Sequence, residues 1–435
     1  MPRLPLLNYL DDAGAKAPAR AILLRNFALL DAKAGELVSR CEVLVQGHTI
    51  AEVRRDSIPA GDAEVIDLGG RTLMPGLIDL HSHILGECFP VAPKMLPSLM
   101  AASAANVMRG MLGRGFTTIR DAGGADYGHK RAVELGLFPG PRLFVSGRAI
   151  SQTGGHGDSR SQADTREPPM CCAQFPGIGR IADGVPEVRK AVRDELRMGA
   201  DQIKVMAGGG VGSITDPVEY LQYSMEELQA VVDEAQRAGK YVMAHAITAE
   251  SVQRCVEAGV RTIEHGNLID ERTARMMAQA GRYLVPTLTI YDVIKRSGRS
   301  LGFSEASMQK VDAVWEGNAR SLELAAAAGV PMGFGTDVAR CPEFQSQEFL
   351  LRGAVLPAAD VIRSATTVGA EILRLPGKLG TIAPGAFADL IAVDGNPLED
   401  LGLLSGQGEN ISLIVANGVL MKDKVRGPTD SNRDV

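Results

Sequence analysis

Aromatic side chains are scarce in this chain, 4% of 435 residues with a single Trp, and no block of Lys or Arg stands beside them. Proteins that grip nucleic acid use aromatic platforms and basic stripes, and this chain, with a net charge of −6, has neither, so nucleic acid is not an expected partner. Cysteine is limited to Cys41, Cys88, Cys171, Cys172, Cys255 and Cys341, with one adjacent pair and no CxxC. That pattern is neither a zinc knuckle nor a disulfide framework, and a reducing compartment fits it best. No apolar run is long enough to span a bilayer. The opening "MPRLPLLNYLDDAGAKAPAR" has only a brief apolar patch, broken by Pro5 and followed by two aspartates, which is not a signal-peptide core. The expectation is a cytoplasmic protein with no membrane partner.

What is present is a core-forming composition, 45% hydrophobic and 23% charged, long enough for one large domain with an appendage or for two domains. After an N-terminal segment, 1–19, short alternating apolar runs ("AILLRNFALLD", "CEVLVQGHTIAEV", "AEVIDLGGRTLMPG") predict a small β unit. The same texture returns in "ADLIAVDGNPLED" and "ISLIVANGVLMKD". Residues 20–74 and 379–425 are expected to pair as one composite β-sandwich.

The long insert, 75–378, has another rhythm. "SMEELQAVVDEAQRAG" reads as an amphipathic helix with a capping box, Ser224 and Glu227, ending at Gly239, and the strand "YVMAHA" follows. The pairs "AESVQRCVEAG" and "RTIEHG", "DERTARMMAQAG" and "RYLVPTLTI", "ARSLELAAAAG" and "VPMGFGTD" repeat that pattern, and "EVRKAVRDELRMGA" leads into "DQIKVMA" in the same way. "LIDLHSHI", "TTIRDAG" and "RLFVSGRAIS" read as the first three strands. Repeated αβ units predict a parallel sheet with helices outside, and this many predict a (β/α)8 TIM barrel.

Unit after unit ends its strand on a polar residue: His81 and His83, Asp121, Lys204, His245, His265 and Asp337. That end of a barrel is where active sites are assembled. In "HSH" the two imidazoles are two residues apart and share a face of the strand, a common ligand pair for a borderline divalent metal. Of seven histidines, His81, His83, His156, His245 and His265 fall at strand ends or just beyond, and only His48 and His129 fall elsewhere. Read alone, Lys204 is a strand-end lysine that snorkels, and Asp337 is a helix N-cap as readily as a ligand.

"PGLIDLHSHI", "QIKVMA", "VMAHA", "TIEHG" and "GFGTD", in that order, resemble the metal-dependent amidohydrolase superfamily, in the branch around prolidase-like and imidazolonepropionase-like enzymes. The resemblance runs from "AILLRNFALLD" to "GTIAPGAFADLIAVDGNPL". It implies two divalent ions, with zinc the expected metal. His81, His83 and Asp337 would hold the first, and His245 and His265 the second. Lys204, as N6-carboxylysine formed with CO2, would bridge the two. It also implies a hydroxide attacking an amide carbonyl, with Asp337 as general base and acid.

For the substrate, His156 in the glycine-rich "SQTGGHGD" is a candidate oxyanion stabiliser or substrate contact, and Tyr223 in "LQYSMEEL" a candidate carbonyl or carboxylate contact or a helix-start staple. Arg340 is a candidate carboxylate partner or a solvated loop residue. The run "AGGGVGS", 207–213, lacks the lysine and serine of a P-loop and more simply lets the backbone pass close to the metals. "GECFPVAPKMLPSLM", 86–100, follows the first strand and is a candidate pocket wall. Dipeptides or N-acyl amino acids are the expected substrates. Xenobiotic aryl amides, ureas and carbamates, ochratoxin-type amides included, are the enzymatic alternative, and a non-catalytic barrel scaffold is a lesser one. The resemblance further implies a homo-oligomer.

Overall fold

The computed structural model describes residues 20–88, 95–160, 162–165, 178–213, 215–339 and 341–426. The expected segment 1–19, Arg340 and residues 89–94 of the candidate pocket wall lie outside the described residues.

The β segments from the two ends of the chain meet in one eight-stranded sheet. Strand Ile22–Asp31 pairs in parallel with Glu64–Pro75, with Leu23 opposite Val65 and Leu29 opposite Leu73, and antiparallel with Glu42–Gln46. Leu390–Val393 takes the free edge of Glu64–Pro75, with Ile391 opposite Met74. Ile411–Ala416 and Val419–Asp423 complete that side. The strands pair because one face of each is apolar: Leu24, Val43, Ile66, Leu73, Leu390, Leu413 and Val415 form one core.

The intervening chain forms two parallel sheets. Leu77–Ser82, Phe116–Asp121 and Arg142–Val145 make a three-stranded sheet. The six-stranded sheet runs, in spatial order, Gly179–Ile181, Ala149–Ser151, Ile203–Met206, Val242–Thr248, Thr262–Leu268 and Tyr283–Val285. The single strand expected in "RLFVSGRAIS" is two strands in two sheets. Gly147 between them has φ +68°, and a Cβ there would come within 2.3 Å of Glu195 Oε2, so the turn requires glycine. "RYLVPTLTI" is strand only to Val285, and Leu288–Ser297 is helix. Glu348 accepts from the main-chain N–H groups of Leu288 and Thr289 at that helix's start, while its own charge is met by fully buried Arg352 at 2.8 Å. "VPMGFGTD" forms no regular strand. It bridges instead: Gly333 N–H donates to Leu284 and Leu80 N–H donates to Phe334, so residues 333–334 link the last strand of the larger sheet to the first of the smaller.

Helices cover the outer face. Met225–Arg237 carries the expected capping box of Ser224 and Glu227, and Ala249–Ala258 ends on Gly259 at φ +95°. Val188, Val192, Val231 and Val252 of the helices share a core with Ile203, Val205, Val242, Ala244 and Ala246 of the strands. Side chains alternate along a strand, so Lys204 and His245 must point the other way, into the ring of strand ends.

Phe116, Phe334 and Phe349 are all fully buried, with ring centroids 4.4–6.3 Å apart, and they pack on the bridging segment that leads to Asp337. Phe334→Ala is expected to lower stability by about 3–5 kcal/mol, read as a fall in the thermal unfolding midpoint. An unchanged midpoint would mean that this cluster does not hold the segment.

Candidate metal centre

Five histidines, a lysine and an aspartate converge at the C-terminal ends of the strands. The ring centroids of His81 and His83 are 5.5 Å apart, of His81 and His265 4.9 Å, of His245 and His265 4.5 Å, and of His156 and His245 4.1 Å. Asp337 Oδ1 lies 3.2 Å from His83 Nε2 and 3.6 Å from His81 Nε2. Among the described residues, His81, His265 and Asp337 form a group that could hold a cation, with ligand atoms within 4.8 Å of one another. That triad draws on both of the ligand sets expected from the sequence, so the donors form one continuous cluster.

Backbone geometry aims several of these groups. His81 and His83 share a face, as their spacing predicts. Strict alternation would turn His265 outward with Ile263, but its φ of +74° swings the ring toward His81. Asp337 has φ +55°, and its main-chain N–H donates to the His81 carbonyl at 2.7 Å. Left-handed backbone in a non-glycine residue costs on the order of 1–3 kcal/mol and collects at functional sites.

Each buried imidazole has one nitrogen committed to the protein, which leaves the other for the cluster. Nδ1 of His81 meets Glu264 Oε2 at 2.8 Å, Nδ1 of His83 meets the Gly123 carbonyl at 2.8 Å, and Nδ1 of His265 meets Thr287 Oγ1 at 2.7 Å. His245 commits Nε2 to the Gly209 carbonyl at 3.1 Å. Metal-binding histidines are oriented in this way. Burial drives His81 and His245 well below the usual imidazole range and His265 down to about 3, so these rings are neutral and able to ligate. His83 differs: burial would depress it too, but the Asp337 carboxylate outweighs burial and raises it, while His83 helps hold Asp337 below the usual carboxylate range.

Lys204 is only 1% exposed, and burial pulls it down to about 8 against the attraction of Glu264 and Asp337. It is not a snorkelling strand-end residue. The donor set therefore fits divalent cations: neutral imidazoles at His81, His245 and His265, an ionised carboxylate, and a lysine whose amine is accessible in the neutral form.

Of the expected substrate residues, His156 is at the cluster, stacked on His245. Tyr223 is not directed at it. The Tyr223 hydroxyl donates to the Ala182 carbonyl at 2.9 Å, and its ring belongs to the core with Val188 and Leu228, the staple-like role its position at a helix start allows. Tyr291 is the tyrosine beside the histidines, 6.0 Å from the His265 ring, and burial raises its hydroxyl well above the usual range. Sequence reasoning passed over Tyr291, Arg120 and Glu264, although both charged residues lie inside quoted strands, "TTIRDAG" and "TIEHG", where a charge in an apolar run was the available signal. Asp121 is a backbone clamp, accepting from the main-chain N–H groups of Ile84, Gly123 and Ala125.

With this geometry in place, comparison with known proteins is decisive, because residues 72–421 match the Amidohydrolase family. The chain belongs to the amidohydrolase family. A crystal structure of an amidohydrolase superposes with a TM-score of 0.90 at 50% identity, covering 93% of this chain and 99% of that one. A prolidase complexed with N-methylphosphonate-L-proline superposes with a TM-score of 0.91 at 46% identity, covering 93% and 100%. Among curated sequences, ochratoxinase from Aspergillus niger is 32% identical over 370 residues, 82% of this chain and 77% of that protein. The chain thus has the TIM-barrel type of amidohydrolase fold, in the prolidase-like branch, and is a hydrolase of amide-type C–N bonds.

Glu264 answers three groups at once, His81, Arg120 and the Thr262 hydroxyl. Glu264→Gln removes the anion facing a fully buried guanidinium, and is expected to cost about 3–5 kcal/mol of stability and about 10- to 100-fold in metal affinity. Thermal unfolding and chelator competition measure the two effects, and wild-type values in both would remove Glu264 from the centre's support.

Proposed function

We propose that this amidohydrolase binds two divalent ions, with zinc the preferred metal, and cleaves the amide bond of dipeptides or N-acyl amino acids to release a free amino acid. The observation that carries the proposal is the buried cluster itself: four histidines with committed outer nitrogens, Lys204 and Asp337 in one place. In this reading His81, His83 and Asp337 hold one ion, His245 and His265 hold the other, and Lys204 bridges them as N6-carboxylysine. When bound, such ions supply an ionised water at neutral pH and polarise the scissile carbonyl. Asp337, beside His83 and His81, would accept a proton from the attacking water and pass it to the leaving nitrogen. His156 contacts the substrate from the edge of the cluster.

The carboxylate-bearing substrate class is supported by the 46% identical prolidase, matched over its whole length with a proline phosphonate bound. The second reading, a hydrolase of aryl amides of the ochratoxin type, is favoured by the 32% identity to ochratoxinase. We also propose a closed eight-stranded barrel over 75–378 with a composite β-sandwich domain from 20–74 and 379–425. A cytoplasmic homo-oligomer completes the proposal, in keeping with the buried free thiols of Cys41, Cys88 and Cys255. Among the described residues, no helix is long and apolar enough to cross a membrane.

Amino-acid release from a panel of N-acyl amino acids and dipeptides, with metal content determined, tests the substrate class. Turnover of that panel is expected, with Asp337→Asn and Lys204→Ala each losing roughly 100-fold or more in kcat/KM. An inert panel beside hydrolysed aryl amides would transfer the proposal to the second reading.

Carboxylation needs the neutral amine of Lys204, whose pKa is lowered to about 8. The neutral fraction falls roughly 15-fold between pH 8 and pH 6.5, so metal-free protein supplied with metal at fixed CO2 is expected to regain activity correspondingly faster at pH 8. Equal rates at both pH values would argue against a carboxylated lysine.

A further inference from the structure

The turn after strand Ile203–Met206 contains a fully buried carboxylate that the catalytic reading leaves without a task. Asp216 is 0% exposed. Its Oδ2 accepts from Gly210 N–H at 3.1 Å and Gln222 Nε2 at 3.1 Å, and lies 3.4 Å from Nδ1 of His156. Its Oδ1 is buried without a hydrogen-bond partner, a cost that a purely structural turn would not need to carry.

His156 is held on several sides. Its main-chain N–H donates to Gln222 Oε1 at 2.9 Å, and its Nδ1 is 2.9 Å from Ser213 Oγ. The ring lies 4.1 Å from His245, nearly parallel to it at 18°. Gly210 approaches so closely that a Cβ there would come within 2.1 Å of Cε1, so position 210 admits only glycine while the ring stays where it is. His156 is nevertheless the most open of the clustered histidines, with 17% of its side chain exposed against 1% for His81 and 4% for His83. With the Nδ1 edge committed, Nε2 is the nitrogen left to meet a substrate.

A serine hydroxyl donates or accepts, so Ser213 alone would permit either tautomer of His156. An ionised carboxylate offers only lone pairs, so Asp216 Oδ2, an electrostatic neighbour 3.4 Å from Nδ1, favours the proton on Nδ1 over a second lone pair facing it. Asp216 stays ionised: burial would raise its carboxyl, but His156, a hydrogen bond from Ser213 and the Lys310 ammonium together outweigh burial and hold it below the usual range. Its position does not depend on His156, because Lys310 reaches in from helix Glu305–Ala327 and donates to the carbonyls of Gly210, Ser213 and Asp216 at 3.1, 2.9 and 2.6 Å.

We propose that Asp216 is a positioning residue whose carboxylate fixes the rotamer and the Nδ1–H tautomer of His156, so that Nε2 is presented to the substrate. This rests on the amide-hydrolase reading of the site and assigns its substrate-facing histidine a partner. Two measurements on the zinc-loaded protein test it. In long-range 15N NMR of labelled histidine, wild type is expected to show His156 as the Nδ1–H form. Asp216→Ala should give a tautomer mixture, whereas Lys310→Met, which loosens the same turn, should keep Nδ1–H. In kinetics, Asp216→Ala should lower kcat/KM by about 10- to 100-fold, and adding it to His156→Ala should cost little more, because the two residues act as one unit.

An unchanged His156 tautomer in Asp216→Ala, multiplicative losses in the double variant, or an equal loss in Lys310→Met would overturn the proposal. If Asp216→Ala does not fold, Asp216→Asn answers the same question, since its amide can donate to Nδ1 and shift the proton to Nε2. A wild type inert on every amide would sink the hydrolase reading alone, and the NMR result would still decide the role of Asp216.

Discussion

A carboxylate with no access to water ties three strands together and sets the shape of the polar centre. Glu264, on Thr262–Leu268, takes hydrogen bonds from Arg120, on Phe116–Asp121, at 2.9 and 3.1 Å and faces His81, on Leu77–Ser82, at 2.8 Å. Arg120 also donates to the Leu80 carbonyl at 2.6 Å. Neither charge could be buried alone, since an unpaired ion in such a place costs several kcal/mol. Paired, they fix the spacing of the strands whose ends carry the histidines. The ion pair is therefore less a source of stability than a gauge that places His81 against its neighbours.

A second set of contacts holds the groups that leave regular geometry. His265 and Asp337 both occupy left-handed backbone, which only an over-determined surrounding sustains. His265 is held by Thr287 through Nδ1. The Asp337 segment is held by its own N–H on His81 and by Asp79, which takes Thr336 Oγ1 at 2.7 Å, Gln345 Nε2 at 2.9 Å and the His81 N–H at 3.0 Å. One buried carboxylate thus joins the strand bearing the first histidine pair to the segment bearing the aspartate. Burial pushes the Asp79 carboxyl up to about 6, the expense of placing it there.

In the proposed reading the cluster would act on a carbonyl, whatever lies beyond the scissile nitrogen. A prolidase and an ochratoxinase both resemble this chain over most of its length. Selectivity must come from groups that rim the cluster. His156 and Tyr291 are the two such groups that the described residues place next to the histidines.

The sequence by itself determined which polar residues close the strands. Histidine spacing and the polar residue at each strand end were legible because strand periodicity is two, whereas the lysine inside "QIKVMA" reads alone as a snorkelling residue and was joined to the histidines only by the family resemblance. The pairing of the terminal β segments and the capping box at Ser224 were legible for similar reasons of local pattern. Tertiary structure alone decided what depends on distance across the fold. It split "RLFVSGRAIS" at Gly147, turned "TLTI" into helix under the Glu348 cap, and left "VPMGFGTD" as a bridge. It also sent Tyr223 into the core and brought Tyr291 to the histidines. Glu264, Arg120 and Asp216 acquired partners 183, 144 and 60 residues away in His81, Glu264 and His156. No local pattern encodes such pairs: a buried charge is tolerable only beside its counterpart, and that counterpart is supplied by the fold.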